Sequence, residues 1–382
     1  MEVKRLVSSI KFENFLKKES TNYLTHNFHP YPAKFIPQIP KFTIKTFTQE
    51  GDTILDPFCG SGTSLVEARL LNRNAIGVDL NPIATLVSKA KTNKINQSEL
   101  NKIPELLKNI KKDIYRHYNK VNIKYNIPKF NNINHWFQLN VIAELGIIKT
   151  HIDKIKDEKL KDYLYTAFSA ILVKVSNQES DTRFAAIDKH IKNLETFSEF
   201  LNKLTDMDKR MREFSKIAYK TKIKIFTGDA RNMYFLKDNS IDHIVTSPPY
   251  ANTYDYYLYH KFRIYWLGYD LKGVQDNEIG SRDRHSSKKE EIITFEEDIN
   301  RCIKEMGRVI KPGKVAVIVI GDSVIRGKVI RMDTIMKRIG LKNNFKFIRD
   351  ISYNLKQNSR AFNPKFTNGE KLEHIMFFQN GK

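Results

Sequence analysis

Four consecutive residues, Ser247, Pro248, Pro249 and Tyr250, bring together a hydroxyl, two ring-locked backbone positions and an aromatic face, one residue after the apolar pair Ile244 and Val245. Proline fixes φ and donates nothing to a β-ladder, so strand pairing has to stop here and a rigid loop must follow. Such a loop presents a hydroxyl and a backbone carbonyl as preset hydrogen-bond acceptors beside a flat ring, and strand ends are where open α/β sheets place their chemistry. A second chemical stretch lies far upstream, Asp56-Pro57-Phe58-Cys59-Gly60-Ser61-Gly62-Thr63. Its glycines let the backbone approach a ligand, yet it lacks both the third glycine of the dinucleotide fingerprint and the Gly-Lys-Ser/Thr of a phosphate loop. Asp79 closes the next apolar run, the position from which a carboxylate accepts hydrogen bonds from ribose hydroxyls. Together the turn and the acid describe a pocket for a nucleoside-bearing cofactor. Either alone reads equally well as a structural turn or a solvent-facing acid.

These residues need elements to hold them. Thr53 to Leu55 form a short apolar run before the glycine turn, and Ser64-Leu-Val-Glu67 has the spacing of a capping box, predicting an amphipathic helix that ends near Asn72. Strand-like runs are "TILDPF" (53–58), "AIGVD" (75–79), "KIKIFTGD" (222–229), "DHIVTSPPY" (242–250), "VAVIVIGD" (315–322), "FKFIRDISY" (345–353) and "EHIMFF" (373–378). Short buried strands separated by helices predict a doubly wound α/β sheet of seven strands with a Rossmann-like architecture. Residues 98–220 instead show helical spacing with Lys and Arg on the polar faces, and they read as a mostly helical insertion between a first half of the sheet domain (1–97) and a second (221–382). The least helix-like part of that insertion is Val175 to Ala186, where Asn177, Gln178 and Arg183 suit base edges or, equally, a polar loop between helices. Residues 273–291 read as a polar loop.

Composition narrows the function classes. The net charge is +22, which favours a polyanionic partner, nucleic acid before a membrane surface, although a lysine-rich proteome would give the same excess. The longest strand-like apolar run is far too short to span a bilayer, which leads to the expectation of a cytoplasmic protein with no membrane partner. Two cysteines, Cys59 and Cys302, make no disulfide framework, and His26 and His29 have no acidic or thiol company in sequence, so no metal is assigned.

The pairing of DPFCGSGT with TSPPY resembles the amino-methylating DNA methyltransferases, which use S-adenosyl-L-methionine to methylate exocyclic amines of bases. The resemblance covers roughly residues 20–95 and 221–378. It implies that Asp56, Pro57, Phe58, Gly60, Ser61, Gly62 and Thr63 cradle the methionine part of the cofactor, and that Asp79, with Leu80 beside it, holds the ribose. "TGDA", with Asp229 and Ala230, resembles the block near the adenine ring, and "HPYPAKF", with His29, Tyr31 and Lys34, resembles a block that closes the cofactor pocket. Ser247, Pro248, Pro249 and Tyr250 then form the catalytic loop. The long insertion between Asp79 and Asp229 departs from the usual block arrangements, so the target-recognition role falls to the insertion, to the loop at 273–291, or to both.

Chemistry supports that reading of the loop. An exocyclic amine is a poor nucleophile because its lone pair is delocalised into the ring; two fixed acceptors, Ser247 Oγ and the Pro248 carbonyl, would draw its hydrogens and localise the pair, while Tyr250 offers a face for a base flipped out of duplex DNA. Tyr254, Tyr256, Tyr257, Tyr259, Arg263 and Trp266 read mainly as aromatic packing. In the family that the chain resembles, serine at the head of the block goes most often with cytosine N4, and aspartate or asparagine with adenine N6. The absence of a Pro-Cys pair disfavours cytosine C5 chemistry. The sequence therefore leads to N4-cytosine methylation of double-stranded DNA, with adenine N6, RNA guanine N2 or a nucleic-acid-binding module without turnover as the alternatives. A cognate restriction endonuclease is the expected kind of biological partner.

Overall fold

The computed structural model describes residues 2–11, 15, 20–181, 183–283, 291–354 and 371–382. Its centre is a seven-stranded sheet: β1 (Thr53–Asp56), β2 (Asn74–Asp79), β3 (Ile223–Thr227), β4 (Ile241–Thr246), β5 (Ile310–Gly321), β6 (Phe345–Asn354) and β7 (Leu372–Asn380). In space the order is β6-β7-β5-β4-β1-β2-β3, with β7 antiparallel to both of its neighbours and the other pairs parallel. All seven sequence-predicted strands thus belong to one α/β sheet of the Rossmann-like kind. The chain runs outward from β1 through β2 to β3 and returns on the other side of β1 as β4, so a topological switch point lies between β1 and β4.

Alternation along the strands explains why the sheet is covered on both faces. Ile54, Val245, Val317 and Val319 pack with Ile39 and Ile44 of α1 (Gln38–Phe47), whereas Leu55, Ile244, Ala316 and Ile318 belong to the opposite layer. Side chains at alternate positions of a strand point to opposite faces, so these near-continuous apolar runs build two cores at once.

Helix α2 (Thr63–Leu70) follows the glycine turn and α3 (Pro82–Thr92) follows β2. The expected capping box does not form. Gly62, not a serine, occupies the N-cap position of α2; Ser64 Oγ donates to Asp56 Oδ2 at 2.6 Å, and the buried Glu67 carboxylate accepts from His26 Nε2 at 2.7 Å and from Tyr23. The helix is buried on every side, so tertiary partners outcompete the local reciprocal bonds that the same residues would make on an exposed helix.

The insertion is helical as expected, with α4 (Ile103–Tyr118), α5 (Leu139–Asp153), α6 (Glu158–Val175) and α7 (Glu195–Ile217). Its core is continuous with the sheet domain: Phe28 of the leader, Val66 of α2, and Phe262 and Trp266 of α8 (Lys261–Leu267) lie in the same apolar cluster as Phe168, Phe200 and Phe214. Between α6 and α7 the chain forms a hairpin, Gln178–Ser180 paired with Arg183–Ala186. Gln178 is buried there, with its Nε2 on the Ser180 carbonyl, and so is not available to a base edge; Asn177 Nδ2 donates to the His135 carbonyl, and Arg183 is exposed and paired with Glu179. Arg263 and Trp266 are both fully buried, and Arg263 donates to the Ser169 carbonyl and to Asp181, clamping α8 to the insertion.

The stretch expected as a polar loop begins with a helix, α9 (Leu271–Asn277); its residues 284–290 lie outside the described residues. Two further helices, α10 (Ile292–Val309) and α11 (Met332–Lys342), cover the β5–β7 side of the sheet. No described helix is long and apolar enough to cross a membrane.

Candidate active site

Parallel strands gather their carboxyl ends at one edge, and register sets which residues meet there. Asp56 lies opposite Gly77, Asp79 opposite Thr227 and Thr246 opposite Ile318, so β1, β2 and β4 deliver Asp56, Asp79 and Ser247 to a single rim. The rim opens into a cleft of about 570 Å³.

At the end of β1 the chain turns through Gly60 at φ +47° and Gly62 at φ +78°, conformations that side chains rarely adopt. A Cβ on Gly62 would also stand 2.7 Å from Ser88 Oγ, so this glycine is needed for packing against α3 rather than for contact with the cleft. Behind the turn, the fully buried Lys91 donates from Nζ to the Ser61 carbonyl at 2.8 Å. Asp56 is on the cleft wall, but both its oxygens are already in use. Oδ1 accepts from Thr246 Oγ1 at 2.6 Å and from the Phe58 amide, while Oδ2 accepts from Ser64; burial nevertheless pushes its carboxyl up to about 6. It therefore braces the glycine turn against the strand that carries Ser247.

Asp79 ends β2. Its Oδ2 accepts from the Gly60 amide at 2.8 Å and its Oδ1 from the Asn81 amide at 2.9 Å, and burial pushes the carboxyl up to about 6. Leu80, Asp229 and Ala230 continue the wall from here. Asp229 is gripped by Arg231, whose guanidinium also reaches Asp298 at 2.8 Å and the Asn277 carbonyl at 3.0 Å, fastening α9 and α10 to the rim.

The leader closes one side with Tyr31 and Lys34. The Tyr31 ring stacks on Tyr256 at 6.5 Å between centroids and leans on His260 at 4.8 Å. His29, expected beside the cofactor, is not on the cleft wall. It is buried, with Nε2 3.0 Å from Ser169 Oγ on α6, because the apolar leader packs into the insertion and carries the imidazole with it.

Opposite the leader stand Ser247, Pro248, Pro249 and Tyr250, all four on the wall. The Tyr250 hydroxyl donates to Glu373 Oε1 on β7 at 2.7 Å. Tyr254 and Tyr256, read from sequence mainly as aromatic packing, line the wall, and Glu278, Asp322, Lys371 and Glu373 on it escape sequence reasoning. Glu278 accepts from the Tyr256 and Tyr257 amides at 2.7 and 2.9 Å, and burial pushes it up to about 8. Glu278 and Glu373 belong to no motif loop, and Asp322 lies just past a strand whose apolar run was its only signal, so their place on the wall follows from tertiary structure.

The wall suits a molecule with a nucleoside at one end and an amino acid at the other. Its volume falls in the range of small-ligand pockets, two carboxylates stand at the β2 and β3 ends, and the half-buried Lys34 belongs to the same wall as the glycine turn.

Residues 5–90 and 241–382 match the family model of the N6/N4 methyltransferases, described as DNA methylase. The two matched segments flank the helical insertion. Among curated proteins, the chain is 29% identical to the Type II methyltransferase M.MvaI of Kocuria varians, over 91% of this chain and 88% of that protein. It is 28% identical to the Type II methyltransferase M.MjaII of Methanocaldococcus jannaschii, over 82% of this chain and 74% of that one. Among solved structures, a putative DNA modification methylase of Thermus thermophilus complexed with S-adenosyl-L-methionine aligns with 41% of this chain and 54% of its own, at 22% identity and a TM-score of 0.26.

Proposed function

Because the chain belongs to the N6/N4 DNA methylase family, we propose that it methylates the exocyclic N4 of a cytosine flipped out of duplex DNA. The methyl donor is S-adenosyl-L-methionine, whose sulfonium supplies an electrophilic methyl group. In this reading Asp79 accepts from the ribose hydroxyls, Asp229 and Ala230 border the adenine, and the Gly60–Thr63 turn with Tyr31 and Lys34 encloses the methionine end.

Ser247 Oγ and the Pro248 carbonyl accept hydrogens from the target amine, which localises the nitrogen lone pair for attack, and the Tyr250 ring provides the face on which the base rests. A serine hydroxyl accepts one amine hydrogen while donating its own to cytosine N3, a double role that a carboxylate lacks. Both thiols are buried and pushed up by burial, leaving no thiolate poised for attack on cytosine C5.

The observation that carries this reading is the Thr246–Asp56 hydrogen bond, which joins the glycine turn to the residue before Ser247 and so sets donor and acceptor loops on one rim. Target recognition falls to the helical insertion, residues 98–220, to the stretch at 273–291, or to both; the insertion lies within the part of the chain that the family model leaves unmatched.

Incubation with isotopically labelled cofactor and defined duplexes, followed by nucleoside mass spectrometry, tests the substrate atom. Labelled N4-methylcytosine is expected. N6-methyladenine as sole product overturns the base assignment.

A further inference from the structure

Tyr250 is held by more than its own loop. Ideal Cβ geometry at Gly321, the last residue of β5, falls 2.7 Å from Tyr250 Cε2 and 3.1 Å from Cδ2, so the ring lies where any side chain at 321 would stand. Glu373 is the register partner of Gly321 on the neighbouring strand β7, and its Oε1 accepts the Tyr250 hydroxyl at 2.7 Å. A missing side chain on one strand and a carboxylate on the next thus form a seat for ring and hydroxyl together. Tyr353 of β6 is in turn the register partner of Glu373, and Tyr250, Tyr353 and Glu373 all line the cleft.

From this arrangement we infer that Glu373 is a positioning residue for methyl transfer, holding the Tyr250 ring against Gly321 before the base arrives. The inference rests on the reading of Tyr250 as the face that receives the base. A loop that ends in two prolines has a rigid backbone but leaves the next side chain free to rotate; χ1 and χ2 of Tyr250 are what the seat removes. Burial raises the Glu373 carboxyl, and the Tyr250 bond, followed by the His374 charge, lowers it, so the hydroxyl helps offset desolvation of the acid. Asp322, another acid on the cleft wall, is committed to Arg331, His374 and the Met332 and Leu372 amides and is no substitute acceptor, while the Ser247 side chain is a second hydrogen-bond partner of Tyr250 from within the loop itself.

Three variants separate anchoring from stacking. Tyr250→Phe keeps the face and loses the hydroxyl; Glu373→Ala loses the acceptor; Glu373→Gln keeps an acceptor oxygen of the same reach. Misplacement of a reacting group by about 1 Å costs up to a hundredfold in rate. Single-turnover transfer to duplex DNA is expected to slow by about ten- to a hundredfold for Tyr250→Phe and for Glu373→Ala, no further in the double variant, and to stay within about threefold of wild type for Glu373→Gln. Cofactor affinity by calorimetry should not move in any of them. Gly321→Ala, where it folds, should reproduce the Glu373→Ala rate. The inference is overturned by a wild-type rate in Glu373→Ala, by losses that multiply in the double variant, or by a Gln variant as slow as Ala. Denaturant unfolding of the same cycle reads the pair without substrate. A wild-type protein that transfers no methyl to DNA overturns the functional reading, whereas additive unfolding energies for Tyr250→Phe and Glu373→Ala overturn the seat itself.

Discussion

Thr246 Oγ1 donates to Asp56 Oδ1 at 2.6 Å, a side-chain bond between the last residue of β4 and the last residue of β1, the two strands on either side of the switch point. Both partners are buried, so the bond is shielded from water and fixes the relative height of the glycine turn and the catalytic loop. Thr246→Val keeps the shape and removes the donor. A hydrogen bond to a carboxylate contributes about 1.5–3 kcal/mol, so unfolding by denaturant should show a loss of that order, accompanied by slower methyl transfer.

Asp79→Ala should weaken cofactor binding by about ten- to a hundredfold, the value of a charge-assisted acceptor. Because Asp79 also accepts from the Gly60 and Asn81 amides, Asp79→Asn is the informative companion: with one oxygen left it should fall between wild type and Ala. Calorimetric titration with S-adenosyl-L-methionine measures both, and unchanged affinity in folded Asp79→Ala places the ribose elsewhere.

Ser247→Ala removes one acceptor of the amine and should cost about a hundredfold in kcat while leaving cofactor affinity unchanged, in the manner of losing one oxyanion-type hydrogen bond. Full activity in this variant overturns the mechanism proposed for the loop.

His374 links two carboxylates. Burial opposes its charge, but hydrogen bonds to Asp322 and Asp350 carry its pKa to about 9. The folded value is raised above the unfolded one, so its contribution to stability is complete below about 6.5 and is lost as pH rises through about 9. Tm measured between pH 6.5 and 9 should therefore fall more steeply in wild type than in His374→Gln; parallel curves sink the assignment.

The net charge of +22 predicts salt-dependent DNA binding. If about five phosphates are neutralised, log K against log salt has a slope of about −4 to −5. A flat slope, read by fluorescence anisotropy, makes the excess purely compositional.

By itself the sequence determined the seven strands, the glycine turn, the Ser-Pro-Pro-Tyr loop and the helical character of the insertion. Each of these follows from local rules: alternation, the φ that proline locks, the φ that glycine permits and the helical period act within a few residues. Tertiary structure decided what those rules do not reach. Ser64 and Glu67 carry a capping-box spacing but bind Asp56, His26 and Tyr23, because α2 is buried and its helix end is surrounded by other partners. His29 stands in the same leader as Tyr31 and Lys34 yet points into the insertion, and Gln178 is polar yet buried in its hairpin. Glu278, Asp322 and Glu373 reach the cleft only because distant strands and loops end at one rim, and the seat of Tyr250 exists only because β5 and β7 pair Gly321 with Glu373. Local sequence sets the conformation of each segment, but the partner of a buried polar group is set by whichever distant element excludes water from it, and that is a property of the packed sheet.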